Sequence, residues 1–414
     1  MPELPEHLRQ ILRTHDDERH DHDDDELREA EAEHPVKVAS CKRVLLHPGF
    51  LVETLVPLRL RKIALQGVTA EELCRAVPGV QIADARRVVA QVHRGEDPHT
   101  PSAGIRRVAR EAIVEQGDVP ALDLLAERRS TLDPFVKYAL RTHDGHVVET
   151  VRIPLEHAGR FSVCVSSQVG CALACAFCAT GRMGLARNLE TWEIVEQVRV
   201  VRRGLSRDGV QGRVHGVVFQ GMGEPLANLD RVLGAVRVLS DPSALAIDAR
   251  AITVCTSGLP TGIRRLAVEA PKVRLGLSLG SARRDVRRRI MPIEGSHGLD
   301  EVIDAAVEHA LATGLAPMWA VTLLAEINDS LEDAHALAEL AIAFRARTGA
   351  SPRISVIPYN RIDEDGRDPF VRTSLEREGA FRDALAARGV FTHKRYSGGS
   401  DVAAACGQLA ARAS

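Results

Sequence analysis

The spacing of hydrophobic residues along the chain predicts two kinds of structure. Between residues 35 and 125, apolar residues recur every three or four positions and are interrupted by Pro and Gly, as is typical of short amphipathic helices. We therefore predict a helical accessory domain at 35–125, with helices at 49–65, 69–76, 82–93 and 103–116. Residues 126–156 hold two β-rich stretches, PFVKYALRT and VVETVRIP, around an Asp-Gly turn, which predicts a β-hairpin linker.

From residue 157 to residue 414, short β-rich runs alternate with helical stretches. This alternation predicts a parallel sheet with right-handed crossover connections. Six or seven such units indicate a partial α/β barrel of the (β/α)6 type, in which the chemistry is expected at the carboxyl ends of the strands. The predicted strands are FSVCVS, VHGVVFQG, AITVCTS, VRLGLSL, PMWAVTLL, RISVIPY and FTHKRY, with helices near 190–204, 226–240, 260–269, 300–313, 331–348 and 375–388.

The first 34 residues differ from the rest because they are acidic and lack apolar periodicity. They contain 13 Asp and Glu against 4 Lys and Arg, whereas the remaining residues include 50 basic and 43 acidic side chains. This composition predicts a disordered tail at 1–34, with metal buffering or autoinhibition as alternatives. The mildly basic body is compatible with a polyanionic partner.

The chain shows no sign of a membrane segment or of export. No stretch approaches the ~18 consecutive apolar residues of a membrane span, and the start, MPELPEHLRQ, lacks the layout of a signal peptide. We therefore expect a cytoplasmic protein that does not contact a membrane. In that reducing compartment, the eight cysteines are expected to be metal ligands or catalytic thiols rather than structural disulfides.

Three of the cysteines lie close together directly after the first predicted barrel strand. Cys171, Cys175 and Cys178 form a C-x3-C-x2-C pattern within SSQVGCALACAFCATGRMG. Three thiolates on one loop can hold three irons of a [4Fe–4S] cluster and leave the fourth iron open to a substrate. The alternative is a structural zinc site, which would need a fourth Cys or His that this loop does not contain.

This cysteine pattern resembles that of the radical S-adenosylmethionine (SAM) superfamily, in which the open iron binds SAM. A second motif, QGMGEPL, follows the second barrel strand. The glycines there allow a ligand to approach the backbone closely, and the Glu224 carboxylate can accept a bond from the SAM ammonium group.

Further motifs resemble one family within that superfamily, the radical-SAM RNA adenine methyltransferases of the RlmN/Cfr type. CVSSQVGCALACAFCATG, GMGEPLAN, ITVCTSGLP, RRRIMPIE, VIPYN and DVAAACGQLA occur in the order of that family and cover about residues 130–410. In two positions the chain departs from the family: Cys255 replaces a Ser and Gly280 replaces a His. The SAM-binding residues that the resemblance implies are Gly223, Glu224, Cys255, Ser278, Leu279, Gly280 and Asn360.

The resemblance also implies a mechanism with two SAM molecules. Such a mechanism is needed because carbon 2 of adenine is not a nucleophile and cannot attack the methyl group of SAM directly. Cys406 would take a methyl group from one SAM, and a radical from a second SAM would activate that methyl group for addition to adenine. Cys164 would then release the product by forming a transient disulfide with Cys406, and Glu149 would serve as the base. The alternative for Glu149 is a solvated strand carboxylate, and the alternative for Asn360 is a turn-forming residue.

The sequence therefore predicts an enzyme that methylates carbon 2 of an adenine in 23S rRNA, tRNA or both. Alternatives are methylation at carbon 8, a radical-SAM enzyme with another substrate such as a glycyl-radical activase, and a protein with a structural zinc or iron–sulfur site. The expected partners are RNA and an electron donor such as flavodoxin or ferredoxin, and the expected state is a monomer. Candidate phosphate contacts are Arg106, Arg107, Arg110, Arg128, Arg129, Arg202, Arg203, Arg264, Arg265, Arg283, Arg284 and Arg287–Arg289.

Overall fold

The computed structural model describes residues 62–362, 368–394 and 397–410. The strands in these ranges are β1 Ile63–Ala64, β2 Gly117–Asp118, β3 Asp123–Arg129, β4 Val136–Arg141, β5 Val147–Pro154, β6 Arg160–Cys164, β7 Gln168–Cys171, β8 Gly184–Asn188, β9 Arg213–Phe219, β10 Ile252–Thr256, β11 Arg274–Ser278, β12 Met318–Leu323, β13 Arg353–Pro358 and β14 Thr392–Lys394. The α-helices are α1 Ala70–Ala76, α2 Ile82–His93, α3 Arg107–Gln116, α4 Thr191–Arg207, α5 Leu229–Ser240, α6 Pro260–Glu269, α7 Arg284–Ile290, α8 Leu299–Thr313, α9 Leu331–Thr348 and α10 Leu375–Ala387.

A ten-stranded sheet forms the centre of the described part of the chain. Its strand order is β14-β13-β12-β11-β10-β9-β6-β5-β4-β3. From β6 to β14 every neighbouring pair is parallel, and a helix connects most successive strands. The predicted α/β barrel of the partial (β/α)6 type is confirmed, and FTHKRY does contribute a strand at its edge. The carboxyl ends of the parallel strands therefore meet at one rim.

The predicted β-hairpin is present but it is not a linker. β5 pairs antiparallel with β6, with Val151 opposite Cys164, so the hairpin extends the barrel sheet. β3 adds a further antiparallel strand beside β4, and it begins at Asp123, inside the range predicted to be helical. The physical reason is that β4 has an apolar face that needs cover: Tyr138 is fully buried, and its hydroxyl lies against Gly204 of α4.

The helical region has its own small core, which α1, α2 and α3 share with the 3-10 turn at Leu65–Gly67. The helices predicted at 69–76 and 82–93 are confirmed, and the one predicted at 103–116 begins only at Arg107. The predicted tail at 1–34 lies outside the described residues, as does the predicted helix at 49–65 except for its end. That end is strand β1, which pairs with β2, because a short apolar run fits a strand as well as a helix.

The helical region packs against α4 of the barrel. The Arg199 guanidinium donates a 2.8 Å hydrogen bond to the carbonyl of Val92, at the end of α2. Gly67 lies against Trp192 so closely that a Cβ on the glycine would be 2.8 Å from the Trp192 Cβ. None of the helices in the described ranges combines the length and the hydrophobicity of a membrane span.

Candidate active site

The three-cysteine loop is carried by a hairpin at the rim of the barrel. β7 ends at Cys171 and pairs antiparallel with β8, with Cys171 opposite Gly184. This hairpin requires Gly170: its φ is +77°, and a Cβ there would lie 1.9 Å from the Gly184 carbonyl oxygen. Ala176 inside the loop donates a 2.9 Å hydrogen bond to the carbonyl of Ile290. The loop is therefore held from both sides.

The three thiols are reduced and partly or fully withdrawn from solvent. Burial raises the pKa of Cys171 to about 11 and the pKa of Cys175 to about 12, and it also raises the pKa of Cys178. Repulsion from Cys178 adds to the rise in the pKa of Cys171 and of Cys175, and repulsion from Cys406 adds to the rise in the pKa of Cys178. Thiols in such a site lose their protons when cationic iron takes the place of the protons, so this set of donors fits an iron–sulfur cluster.

The zinc alternative makes a different geometric demand. A structural zinc site needs four N or S ligands around one ion. Within the described ranges, no three His, Cys, Asp or Glu side chains converge closely enough to hold a single ion.

The cysteine loop opens onto a cavity enclosed by the carboxyl ends of the barrel strands. Its empty volume is about 960 Å³ when the space at its mouth is included, which is within the size range of cofactor sites. The turns that follow β9, β10 and β11 form a further part of its wall. The predicted SAM-binding residues on this wall are Gly223, Glu224, Cys255, Ser278 and Gly280.

Glu224 links two of these turns. It is buried, and its carboxylate accepts hydrogen bonds from the backbone N–H of Leu226 at 3.0 Å and of Ser257 at 2.9 Å. Burial raises the pKa of Glu224, although those backbone donors favour the charged form. Gly223 before it has a φ of +100°, and a Cβ there would lie 2.5 Å from the side chain of Gln168. A larger residue at this position would displace the turn.

The structure gives a reason for the unusual Gly280. Its φ is +69°, and a Cβ there would lie 2.4 Å from the Met291 sulfur. The side chain of a His at this position would therefore need both a strained backbone and a displaced Met291. The Gly280 carbonyl accepts a 2.7 Å hydrogen bond from Asn328. At position 280 the protein can therefore contact a ligand only through its main chain.

Two predicted SAM-binding residues do not line this cavity. The Leu279 side chain is fully buried, and its carbonyl accepts a 3.0 Å hydrogen bond from Arg287. The Asn360 amide donates to Ser397 Oγ at 2.9 Å and to the carbonyl of Cys406 at 3.3 Å. Asn360 therefore anchors the C-terminal segment in this structure.

Cys406 lies where two cavities meet. It lines the cavity beside the cysteine loop, which we call the cofactor cavity. It also lines a second cavity of about 480 Å³, which is lined in addition by Cys164 at the end of β6. The next residue, Gly407, accepts a 2.8 Å hydrogen bond at its carbonyl from the N–H of Ala179 in the cysteine loop. The C-terminal segment thus brings one thiol near both the cluster loop and the second thiol.

Glu149 is fully buried on β5, so it is not a solvated carboxylate. Lys137 on β4 places its ammonium group 2.9 Å from one carboxylate oxygen. The other oxygen accepts a 2.8 Å hydrogen bond from the N–H of Ala410. Glu149 lines neither of the two cavities, but it holds the chain just beyond Cys406.

Most of the predicted phosphate-binding arginines are engaged within the protein. Arg287 is fully buried and forms a salt bridge with Glu294, so it is not available to RNA. Sequence patterns cannot distinguish this residue from its exposed neighbours Arg288 and Arg289. Other predicted arginines that form ion pairs with Asp or Glu are Arg106, Arg107, Arg129, Arg203, Arg264, Arg265, Arg283 and Arg284.

Several residues that shape the site were not identified from the sequence. Lys137 and Asn328 are single polar residues outside the quoted motifs. Gln168 and Arg287 lie inside quoted motifs, CVSSQVGCALACAFCATG and RRRIMPIE, but no support role was predicted for either residue. Each is buried or nearly so and binds a residue distant in the chain. For Lys137 the sequence signal is a charged residue inside the predicted strand PFVKYALRT, and for Gln168 and Arg287 it is their place within the quoted motifs.

The barrel, the three-cysteine loop and the cavity between them define the class of protein. Residues 165–340 match the family model described as the radical SAM superfamily. A solved radical SAM methyltransferase from Sphaerobacter thermophilus is 34% identical, with a TM-score of 0.74, and the match covers 84% of this chain and 100% of that one. The protein is a radical SAM enzyme, and its cofactors are a [4Fe–4S] cluster and SAM.

Curated relatives narrow the assignment. A probable RNA methyltransferase from Sorangium cellulosum is 60% identical over 357 residues, which are 82% of this chain and 90% of that protein. The dual-specificity RNA methyltransferase RlmN from Syntrophobacter fumaroxidans is 36% identical over 355 residues, with coverage of 85% and 99%. The chain belongs to the RlmN/Cfr family of radical SAM RNA methyltransferases.

Proposed function

We propose that this enzyme methylates carbon 2 of an adenine in structured RNA, either 23S rRNA, tRNA or both, through a methyl group carried on Cys406. The observation that carries the proposal is the position of Cys406, which lines both the cofactor cavity and the cavity of Cys164. A methyl carrier must reach the cofactors on one side and a second thiol on the other.

The residues of the chain have separate tasks in this mechanism. When bound, the reduced cluster and SAM supply an electrophilic methyl group and a radical that removes a hydrogen atom. The Cys406 sulfur holds the methyl carbon during its addition to adenine. The Cys164 thiolate then attacks the Cys406 sulfur, so that an S–S bond forms and the electron pair of the breaking S–C bond stays on the carbon, which takes up a proton to complete the methyl group. The odd electron left by the radical addition would return to the oxidised cluster. Glu149 is the proposed acceptor of the adenine proton.

Glu149 needs a rearrangement to act as this base. In the structure its oxygens are occupied by Lys137 and by the N–H of Ala410. Because the Ala410 bond lies four residues beyond Cys406, movement of the C-terminal segment would release one carboxylate oxygen. We therefore propose that proton transfer follows a shift of this segment.

The SAM-binding assignments are part of the proposal. Gly223, Glu224, Ser278 and the main chain of Gly280 would bind SAM, together with Cys255 in place of a hydroxyl residue. The cluster ligands would be Cys171, Cys175 and Cys178. We also propose that flavodoxin or ferredoxin supplies the electrons, and that the enzyme acts as a cytoplasmic monomer.

Mass spectrometry of nucleosides tests the substrate and the position together. We expect 2-methyladenosine to disappear from 23S rRNA or tRNA when the gene is deleted, and to return with the wild-type gene but not with a Cys406→Ala variant. Loss of 8-methyladenosine instead would contradict methylation at carbon 2. Unchanged levels of both in the two RNAs would contradict the proposed substrate.

A further inference from the structure

Arg287 is the largest charged side chain in the described residues that is completely buried. It lies on α7, and the two arginines that follow it, Arg288 and Arg289, are exposed. A buried guanidinium is tolerated only when its charge and its N–H groups have partners. The position of those partners shows what Arg287 does in the site.

Two partners of Arg287 lie in the turns after β10 and β11, which line the cofactor cavity, and the third is Glu294. Its Nε donates a 3.0 Å hydrogen bond to the carbonyl of Leu279, after β11, and an Nη donates a 2.7 Å bond to the carbonyl of Ser257, after β10. The second Nη binds the buried carboxylate of Glu294. One planar group therefore sets the spacing of two neighbouring turns.

The same turn is held a second time through Glu224. The N–H of Ser257 donates to the Glu224 carboxylate at 2.9 Å, while the carbonyl of Ser257 accepts from Arg287. Arg287, Ser257 and Glu224 thus form a continuous chain of hydrogen bonds that runs into the cavity wall. A displacement of Arg287 would move the Glu224 carboxylate.

The segment that contains Arg287 also contacts the cluster loop. At the end of α7, the carbonyl of Ile290 accepts a 2.9 Å hydrogen bond from Ala176, which lies between two of the cluster cysteines. The next residue, Met291, packs against Gly280 on the cofactor wall. The segment from Arg287 to Glu294 therefore joins the cysteine loop to the turns after β10 and β11.

We propose that Arg287 is a positioning residue for SAM, which holds the turns after β10 and β11 at the correct distance from the cluster loop. The inference rests on the proposed assignment of these turns to SAM. A ligand that is bound both by an iron of the cluster and by these turns requires the two to be correctly spaced. A small displacement of either would lower the affinity for SAM. Lysine cannot replace this role, because an ammonium group lacks the fixed planar arrangement of donors.

Three variants separate positioning from stability. Arg287→Lys keeps the charge. Arg287→Gln removes the ionic partner of one buried oxygen of Glu294, Oε2, whereas the double variant Arg287→Gln/Glu294→Gln removes both charges. Arg284→Gln is the matched control, since the exposed Arg284 binds the other oxygen of the same Glu294 at 3.0 Å but contacts neither turn.

The measurements are the dissociation constant of SAM, the electron paramagnetic resonance signal of the reduced cluster with and without SAM, the iron content and the melting temperature. We expect Arg287→Lys and the double variant to bind SAM about tenfold more weakly or worse, since charge-assisted hydrogen bonds to the turns are lost. Their iron content should remain normal, and the SAM-induced change in the signal should be weakened. The double variant should melt at a higher temperature than Arg287→Gln.

The inference is overturned if Arg287→Lys binds SAM like the wild type, or if the double variant recovers SAM affinity together with stability. If the double variant does not fold, the Arg287→Lys result decides. An equal loss of affinity in Arg284→Gln would assign the effect to Glu294 instead. Failure of the wild-type enzyme to bind SAM would contradict the proposed function rather than the role of Arg287.

Discussion

Cys406 and Cys164 line the same small cavity, but only Cys406 also lines the cofactor cavity. In the proposed mechanism, this difference in position would give the two thiols different tasks. A thiol that reaches the cofactors can be alkylated, whereas one that reaches only the other thiol can act by thiol–disulfide exchange. Replacing one thiol should therefore not have the same effect as replacing the other.

Substitution of each thiol tests this asymmetry. Cys406→Ala has no methyl carrier and should form neither methylated RNA nor a covalent complex. Cys164→Ala can still be methylated and add to adenine but cannot release the product, so it should accumulate protein crosslinked to RNA. Denaturing electrophoresis before and after nuclease digestion measures the complex. Identical behaviour of the two variants would contradict the two-thiol mechanism.

At the scale of secondary-structure elements, the site depends on how the C-terminal segment is attached. The segment is fixed to the turn between β3 and β4, far from it in the chain. Asp401 accepts hydrogen bonds from Ser130 Oγ at 2.7 Å and from the N–H of Thr131 at 2.8 Å. Asp133 accepts one from the N–H of Gly399 at 2.8 Å. The strands that were predicted to be a linker thus position Cys406.

Loosening this attachment should separate the two halves of the reaction. In Asp401→Ala, SAM cleavage to 5′-deoxyadenosine should persist, because the cluster loop is unchanged. RNA methylation should fall about tenfold, as expected when hydrogen bonds to a charged group worth about 1.5 kcal/mol are lost. Chromatography of both products measures the ratio. The control is Asp123→Ala, which removes an exposed pair with Arg141 on the same strands; an equal loss there would exclude a specific role for Asp401.

At the scale of the whole molecule, charge is unevenly distributed along the chain. The first 34 residues carry 13 acidic and 4 basic side chains, whereas the rest has an excess of basic residues. Like charges repel at distances up to about 10 Å at 0.1 M salt. An acidic segment therefore opposes the binding of a polyanion such as RNA.

Deletion of residues 1–34 should leave RNA affinity equal or higher, with the larger gain at low salt. The dissociation constant for transcribed RNA, measured at 50 and 300 mM KCl, checks this, and SAM affinity serves as the control because SAM carries little net charge. Markedly weaker RNA binding after deletion would show that the tail contributes to binding.

The sequence by itself determined the features that depend on local order. Alternating β-rich and helical runs specify the barrel, because each run carries its own hydrophobic period. The cluster loop is equally local, since Cys171 and Cys178 are separated by only six residues. The hairpin β7–β8 and the helix α7 were not predicted, because these elements are too short to show a hydrophobic period. Their conformation depends on tertiary contacts with neighbouring elements.

Only the tertiary structure decided which polar residues are buried and what they hold. Glu149 meets Ala410 across 261 positions of the chain, and Arg287 meets turns 8 and 30 positions away. In the sequence, a buried arginine and an exposed one look the same, as Arg287 and Arg288 do. A side chain becomes buried when separate elements pack around it. A buried charged group is then tolerated only if nearby groups supply hydrogen bonds and an opposite charge. The motifs of the candidate site could therefore be predicted from the sequence. The buried polar residues that hold these motifs in place could be identified only in the folded structure.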